Sequence, residues 1–322
     1  MPKPRIAIVG TGFIGGSLGL ALKKAKVDAE IVGHDKDHAL ATRAQKRGAV
    51  DAAKWNLHDA CDGAAMIILA LPLAGIRQTL AALKPHLQPG VIVTDTASTK
   101  VPVMQWASEL PEQVFFVGGN LILKPTRARA QGIDAADAEA LQGATYCLVA
   151  PPSATGSALE TMANLAAMLG AKPYFINADE HDGIIAGVQH FPALLATAFA
   201  SSVIQNNSWR ESGKLASADF RDATLLAPDD GTAASDRFLA HRDDLIRWTD
   251  ALIQRLQDLR GMIEREDAAG IEKMVDEIAR ARSQWLGGEF EETAPRVDWK
   301  DVQFSPQRMF LGSLGDRLRK PH

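Results

Sequence analysis

Cysteine is nearly absent: Cys61 and Cys147 are the only two in 322 residues. They stand far apart, without the paired spacing of a metal motif. That excludes a cysteine-rich metal site and suits a reducing, cytoplasmic compartment. The eight histidines are scattered without ligand spacing, so no metal is expected. Charge of one sign is not in excess either. A net charge of −4 gives no electrostatic reason to expect nucleic acid or an anionic membrane as a partner. No long uninterrupted apolar segment and no internal repeat stand out. The opening Met1-Pro-Lys-Pro-Arg5 runs directly into an apolar strand, so neither a secretory signal nor a membrane anchor is expected.

What is present has the makeup of a globular enzyme, with 46% hydrophobic and 23% charged residues. The length exceeds the usual single domain, so two domains are expected. Strand and helix patterns alternate through the first half. Apolar runs at Arg5–Gly10, Ala29–Gly33, Ala64–Leu71, Val91–Asp95, Val114–Gly119, Ala144–Val149 and Lys172–Asn177 predict a doubly wound parallel sheet covered by helices on both faces. After Asn177 no strand pattern returns. An apolar stretch to about Gln205, with Pro192 as a kink, precedes amphipathic patterns over Phe238–Glu264 and Ala268–Leu286. The fold class is therefore α/β, a Rossmann domain over residues 1–177 followed by an all-helical domain over 178–290. Residues 291–322 read as an extended tail.

The first strand breaks at Gly10-Thr-Gly12-Phe13-Ile14-Gly15 and an apolar helix follows. In such a turn Gly10 permits the tight bend, Gly12 lets backbone approach a pyrophosphate, and Gly15 lets helix pack on strand. The N–H groups opening the helix then face the phosphates. Asp35, after the second strand, is placed to bind the adenosine ribose and to repel a 2′-phosphate. NAD is the expected cofactor, with NADP as the alternative because Lys36 stands beside Asp35.

Ligands of a doubly wound sheet bind beyond the carboxyl ends of the strands. The candidates there are Leu71-Pro72, the loop Asp95-Thr-Ala-Ser98-Thr-Lys100, and Asn120 after two glycines. Ser98 is either a hydrogen-bonding group beside the nicotinamide or the cap of the next helix. Asp95 reads as a loop-orienting group, and Lys100 as a solvated first-turn residue that could instead hold a carboxylate. Asn120 sits where a tight turn is expected. Its amide can hydrogen-bond a substrate oxygen but cannot serve as a base. Lys124, Arg127 and Arg129 gather positive charge on one loop, either solvated or set to capture a small anionic substrate. His190, on an apolar helix, is either a hydrogen-bonded core residue or an acid–base group.

These residues resemble the prephenate and arogenate dehydrogenase family. Gly10-Thr-Gly-Phe-Ile-Gly-Gly-Ser17-Leu is similar to its GxGxIGGSL opening, and Asp95–Lys100 to its DxxSxK loop. Val117-Gly-Gly-Asn120 occupies its GGHP position. Glu180-His181-Asp182 through Gln189-His190-Phe191-Pro192 resembles its EHD…SHLPH helix, and Phe220-Arg-Asp222-Ala-Thr224 its GFRDxTR segment. The resemblance spans about residues 4 to 290. It implies NAD(P)-linked oxidation of a cyclohexadienyl substrate with loss of carbon dioxide, a homodimer formed through the helical domain, and a role in tyrosine biosynthesis. It implies that a histidine polarises the ring hydroxyl while a serine, Ser98, assists; His190 is the family-matched histidine left for acid–base work, and Gln189 beside it is a candidate substrate contact.

Three positions depart from the pattern. The family's catalytic histidine is Asn120 here, the last histidine of SHLPH is Ala193, and the arginine of DxTR is Leu225. The expectation is therefore a dehydrogenase with altered substrate or weakened catalysis, Asn120 and Ser98 orienting the reacting group. The alternatives are an NAD-binding sensor or partner protein without efficient turnover, and a reductase of another small acid.

Overall fold

The computed structural model describes residues 3–125, 131–151 and 154–288, in two compact units that divide between His181 and Asp182. The predicted tail from 291 lies outside the described residues, as do Arg127 and Arg129.

The first unit is built on eight strands: β1 (Arg5–Val9), β2 (Glu30–His34), β3 (Ala52–Ala53), β4 (Ala64–Leu69), β5 (Ile92–Asp95), β6 (Phe115–Ile122), β7 (Thr145–Val149) and β8 (Lys172–Phe175). They lie side by side in the order β3-β2-β1-β4-β5-β6-β7-β8. The order reverses next to β1, the switch point where doubly wound sheets bind nucleotides. Six helices cover the sheet: α1 (Phe13–Lys24), α2 (His38–Lys46), α3 (Leu57–Cys61), α4 (Leu73–Leu83), α5 (Val101–Ala107) and α6 (Gly156–Met168).

Alternate residues along a strand face opposite sides, and β1 shows how this splits the core. Ile6 and Ile8 pack with Leu18, Leu22, Met162 and Leu165 of α1 and α6. Ala7 and Val9 pack on the other face with Ile76, Leu80 and Val103 of α4 and α5. Each such fully buried aliphatic side chain stabilises the fold by roughly 1.5–3 kcal/mol relative to exposure.

The sheet departs from the expected all-parallel arrangement at one joint. β6 pairs with β7 antiparallel, Gly118 opposite Val149 through Ile122 opposite Thr145, while the remaining pairs are parallel. A parallel return needs a long crossover, usually a helix. Among the described residues of this connection only the short 3-10 turn Ile133–Ala135 appears. Apolar strand patterns carry no direction, so the reversal was invisible in the composition of these runs.

The second unit is helical. Helix α7 (Ala178–Ile185) carries the division between units and leads through a π-turn, Ala186–His190, into α8 (Phe191–Ile204). Helices α9 (Trp209–Leu215), α10 (Ala218–Thr224), α11 (Gly231–Ala240), α12 (Arg242–Glu264) and α13 (Ala268–Leu286) follow. The expected irregularity at Pro192 takes the form of that π-turn. Proline has no N–H and its ring crowds the carbonyl four residues back, and the regular ladder gives way just before it. Gly187 in the turn allows the Trp248 indole to pack close, since an added Cβ would stand 2.6 Å from Trp248 Cζ2.

Taken together, Ala178–Ile204 is one helical run of 27 residues, long and apolar enough by length and composition to cross a membrane. This corrects the expectation that no such segment exists. Only 28% of its most apolar window is buried. Val188, Phe199, Leu239, Ile253, Leu256 and Ile278 are all exposed apolar side chains of this unit.

Candidate functional site

The glycine turn between β1 and α1 has the geometry its three glycines predict. Gly10 adopts φ +92°, and a side chain there would meet the Ala70 carbonyl and stand 2.9 Å from Leu71 Cδ2. A Cβ on Gly15 would run into the Gly10 carbonyl and lie 3.2 Å from Ile8 Cγ2, so only hydrogen lets α1 lie on β1. Gly12 differs: a Cβ there would meet nothing within 4 Å. Its smoothness serves no contact inside the protein. Gly12 is also the cap residue of α1, with no side-chain cap and no acidic residue in the first turn. The helix start therefore keeps its N–H groups and its positive dipole end for an anion. The residues fit a pyrophosphate.

Asp35 follows β2 and is tied to the same turn. Its Oδ2 accepts from the Thr11 N–H at 2.8 Å and from the Thr11 hydroxyl at 3.3 Å, and Oδ1 accepts from the Asp37 N–H at 3.0 Å. The Gly10 N–H donates to the His34 carbonyl at 2.8 Å. Gly10, Gly12, Phe13, Ile14, Gly15, Asp35 and Leu71 are thus gathered around one turn. Phe13 is half-buried, and Ile14 packs its side chain against the core, leaving its backbone for the turn. Pro72 caps α4.

The loop after β5 corrects one expectation. Lys100 is not solvated: it is wholly buried, pairs with the equally buried Asp95, and donates to the Gly119 carbonyl at 2.7 Å. Asp95 does orient the loop, since Oδ2 accepts from the Ala97 N–H at 2.9 Å, and it reaches further, Oδ1 accepting from the Gly119 N–H at 3.1 Å. Ser98 is half-buried between them, and the cap position of α5 belongs to Lys100, with no side-chain cap bond.

Asn120 lies not in a turn but inside β6, opposite Cys147. The β5 ladder stops at Thr94 opposite Val117. Past that point the Asp95 carboxylate and the Lys100 ammonium take over the N–H and C=O of Gly119 on that side. Gly119 must be glycine, because a Cβ would stand 2.5 Å from the Asp95 carbonyl and 2.7 Å from Tyr146 Cε2. The Asn120 side chain, 3% exposed, places Nδ2 3.1 Å from Nε2 of His181, itself 1% exposed. Sequence reading passed over His181 because its partner is 61 residues away and the pair shares no local pattern. Burial pushes the Cys147 thiol up to about 11, with the nearby Lys100 charge opposing, so this neighbour of Asn120 is a neutral thiol.

The remaining candidates are dispersed. Lys124 is exposed and its stem lies against Gly143. In the second unit Gln189 and His190 sit on the π-turn, a distortion often found at functional sites. His190 is 2% exposed and its ring lies 4.3 Å from that of His241. Leu225 ends α10 and is 64% exposed. Among the described residues no group of three or more histidine, cysteine or acidic residues has metal-binding placement.

A switch-point glycine turn on a doubly wound sheet, followed by a helical unit, defines a nucleotide-binding α/β protein. Residues 18–175 match the nucleotide-binding domain of prephenate dehydrogenase, and residues 177–277 match the dimerization domain of the same enzyme. The chain belongs to the prephenate dehydrogenase family. It is 29% identical to the prephenate dehydrogenase of Bacillus subtilis over 277 residues, 84% of this chain and 72% of that one. It is 27% identical to the cyclohexadienyl dehydrogenase of Zymomonas mobilis, covering 86% of this chain and 94% of that one. The crystal structure of Synechocystis arogenate dehydrogenase superposes with a TM-score of 0.73 at 26% identity, over 87% of this chain and 99% of that one. The protein is a dehydrogenase. The apolar run Ala178–Ile204 falls inside the dimerization domain, where an exposed apolar face is what a subunit interface requires.

Proposed function

We propose that this chain uses NAD to oxidise a cyclohexadienyl acid of the prephenate or arogenate class, with a reacting centre weakened or redirected by Asn120. The observation that carries this reading is Asn120 itself, a buried amide on a clamped strand where the family pattern has an imidazole. The glycine turn and Asp35 hold the dinucleotide, which when bound supplies the hydride acceptor. Asn120 Oδ1 accepts a hydrogen bond from the substrate hydroxyl and so favours removal of hydride from its carbon. It cannot retain the proton, a capacity worth ~10²–10⁴ in rate. Ser98 assists in orienting that hydroxyl. His190 is the remaining histidine for proton transfer, and Gln189 lies beside it on the π-turn. Lys124, with Arg127 and Arg129, supplies charge for the substrate carboxylates in place of the arginine absent at Leu225. The active form is a homodimer in which a second copy covers the apolar face of the helical unit.

Asn120 and Leu225 together also favour a second reading, a protein that binds NAD without efficient turnover. NADH formation by purified protein separates the two, with prephenate and arogenate each tested against NAD and NADP. Turnover of either compound supports the first reading. Clear NAD binding with no turnover supports the second.

A further inference from the structure

We propose that His181 is a positioning residue that decides which end of the Asn120 amide is offered to the substrate. The inference rests on the reading that Asn120 faces the substrate hydroxyl.

An asparagine side chain has a donor end and an acceptor end of nearly equal shape, and half a turn about its last torsion exchanges them. A substrate hydroxyl that must lose its proton needs the acceptor. The backbone of Asn120 cannot make that choice. It is fixed on one side by pairing with Cys147 and, one residue earlier, by the hold of Asp95 and Lys100 on Gly119, but neither contact touches the amide.

His181 does touch it, with Nε2 3.1 Å from Asn120 Nδ2. Both side chains are buried, so a mismatched donor or acceptor there would cost about 1–3 kcal/mol. With the ring proton on Nδ1, Nε2 is an acceptor. The Asn120 NH₂ then donates to it and Oδ1 is turned the other way. The backbone that carries the imidazole is held at a defined place because the start of α7 is capped. Asn177 Oδ1 accepts from the Glu180 N–H at 2.8 Å, and the His181 N–H donates to the Asn177 carbonyl at 3.0 Å. An imidazole thus stays next to this centre, one residue removed from the substrate, as an orienter and not as a base.

The test uses the full-length protein in two arms. In the first, a long-range proton–nitrogen spectrum of the histidine rings reads the state of Nε2. The proposal expects an unprotonated Nε2 on His181 whose shift moves in Asn120→Ala. A protonated Nε2, or a shift that ignores Asn120→Ala, overturns it. In the second arm, His181→Leu and His181→Gln are compared with Asn120→Ala under saturating NAD. His181→Leu is expected to lower kcat ~10-fold or more, the effect of losing about 1.4 kcal/mol. KM for NAD should hardly change, while Tm falls modestly because the buried Asn120 NH₂ loses its acceptor. His181→Gln, which retains an acceptor near Nε2, should recover most of the rate. An undiminished kcat in His181→Leu, alongside a reduced one in Asn120→Ala, overturns the role of His181 alone. Equal losses of kcat and Tm in the Leu and Gln variants overturn it too, as a purely structural contact. An undiminished kcat in Asn120→Ala, or no turnover by the parent protein, defeats the reading of Asn120 instead, and the nitrogen spectrum still decides whether His181 orients it.

Discussion

Lys100 and Asp95 form an ion pair shut off entirely from solvent, and the two side chains grip the C=O and the N–H of the same residue, Gly119. Removing one member leaves the other charge buried and uncompensated, which costs about 3–5 kcal/mol, whereas exchanging both for neutral groups costs much less. Lys100→Met should therefore lose stability on that scale in urea unfolding. The Lys100→Met, Asp95→Asn double variant should recover a good part of it. A single variant as stable as the parent would contradict the burial of the pair.

The three glycines of the turn should respond differently to alanine. Gly12→Ala should fold with stability within ~0.5 kcal/mol of the parent, as at an unencumbered site, because its methyl meets nothing inside the protein. NAD titration should nevertheless show binding weakened by a factor of ten or more. Gly15→Ala drives a methyl into the Gly10 carbonyl and should lose at least ~1–3 kcal/mol, as overpacking does. Equal behaviour of the two variants in thermal melts would count against this assignment.

Asn120→His restores an imidazole and should raise prephenate or arogenate oxidation by up to ~10²-fold, the lower end of general-base contributions. Leu225 is exposed at the end of α10, where a longer side chain has room. The Asn120→His, Leu225→Arg double variant should exceed both singles in kcat/KM. A folded Asn120→His variant with unchanged turnover would sink this prediction.

The two thiols give the protein an alkaline weakness. Burial pushes Cys61 up to about 12 and Cys147 up to about 11 from an ordinary value of 9.0. Above pH 9 the unfolded chain therefore releases protons that the folded chain keeps, so stability must fall as pH rises from about 9 towards 11–12. Burial raises the Tyr146 phenol as well and adds to the slope at higher pH. Neither cysteine should react with a thiol reagent at pH 8 until the protein is unfolded. A Cys61→Ala, Cys147→Ala variant should show a flatter loss of stability between pH 8 and 10.

The parts of this molecule that its sequence announces are those whose demands are local. Gly10 and Gly15 are required by a single turn and its two flanking elements, so five or six letters disclose them. The helical character of the second half shows in spacing alone. Lys100 was misjudged because a lysine in a first turn is ordinarily solvated, and the carbonyl that holds it lies 19 residues downstream. Asn120 was misplaced for a related reason. Two preceding glycines suggest a bend, yet here Gly119 serves the close approach of Asp95 and Tyr146 to an extended strand, and Gly118 that of Met104 and Lys100. The reversal between β6 and β7 and the pairing of Asn120 with His181 are long-range facts that no residue type encodes alone.

The π-turn before Pro192 accommodates one residue more than an α-helical path would. Each residue of an α-helix advances about 100° around the axis. The turn takes up that step, so α8 after it keeps the bearing that a regular helix one residue shorter would give it. Loss of a single residue between Ala186 and Gln189 would let the turn revert to a regular α-helical path and leave α8 pointing nearly where it does, whereas the same loss within α8 itself would swing everything after it by more than a quarter of a circle. At this turn chain length is free to differ by one, and a one-residue gap in an alignment there leaves the helix beyond it in register.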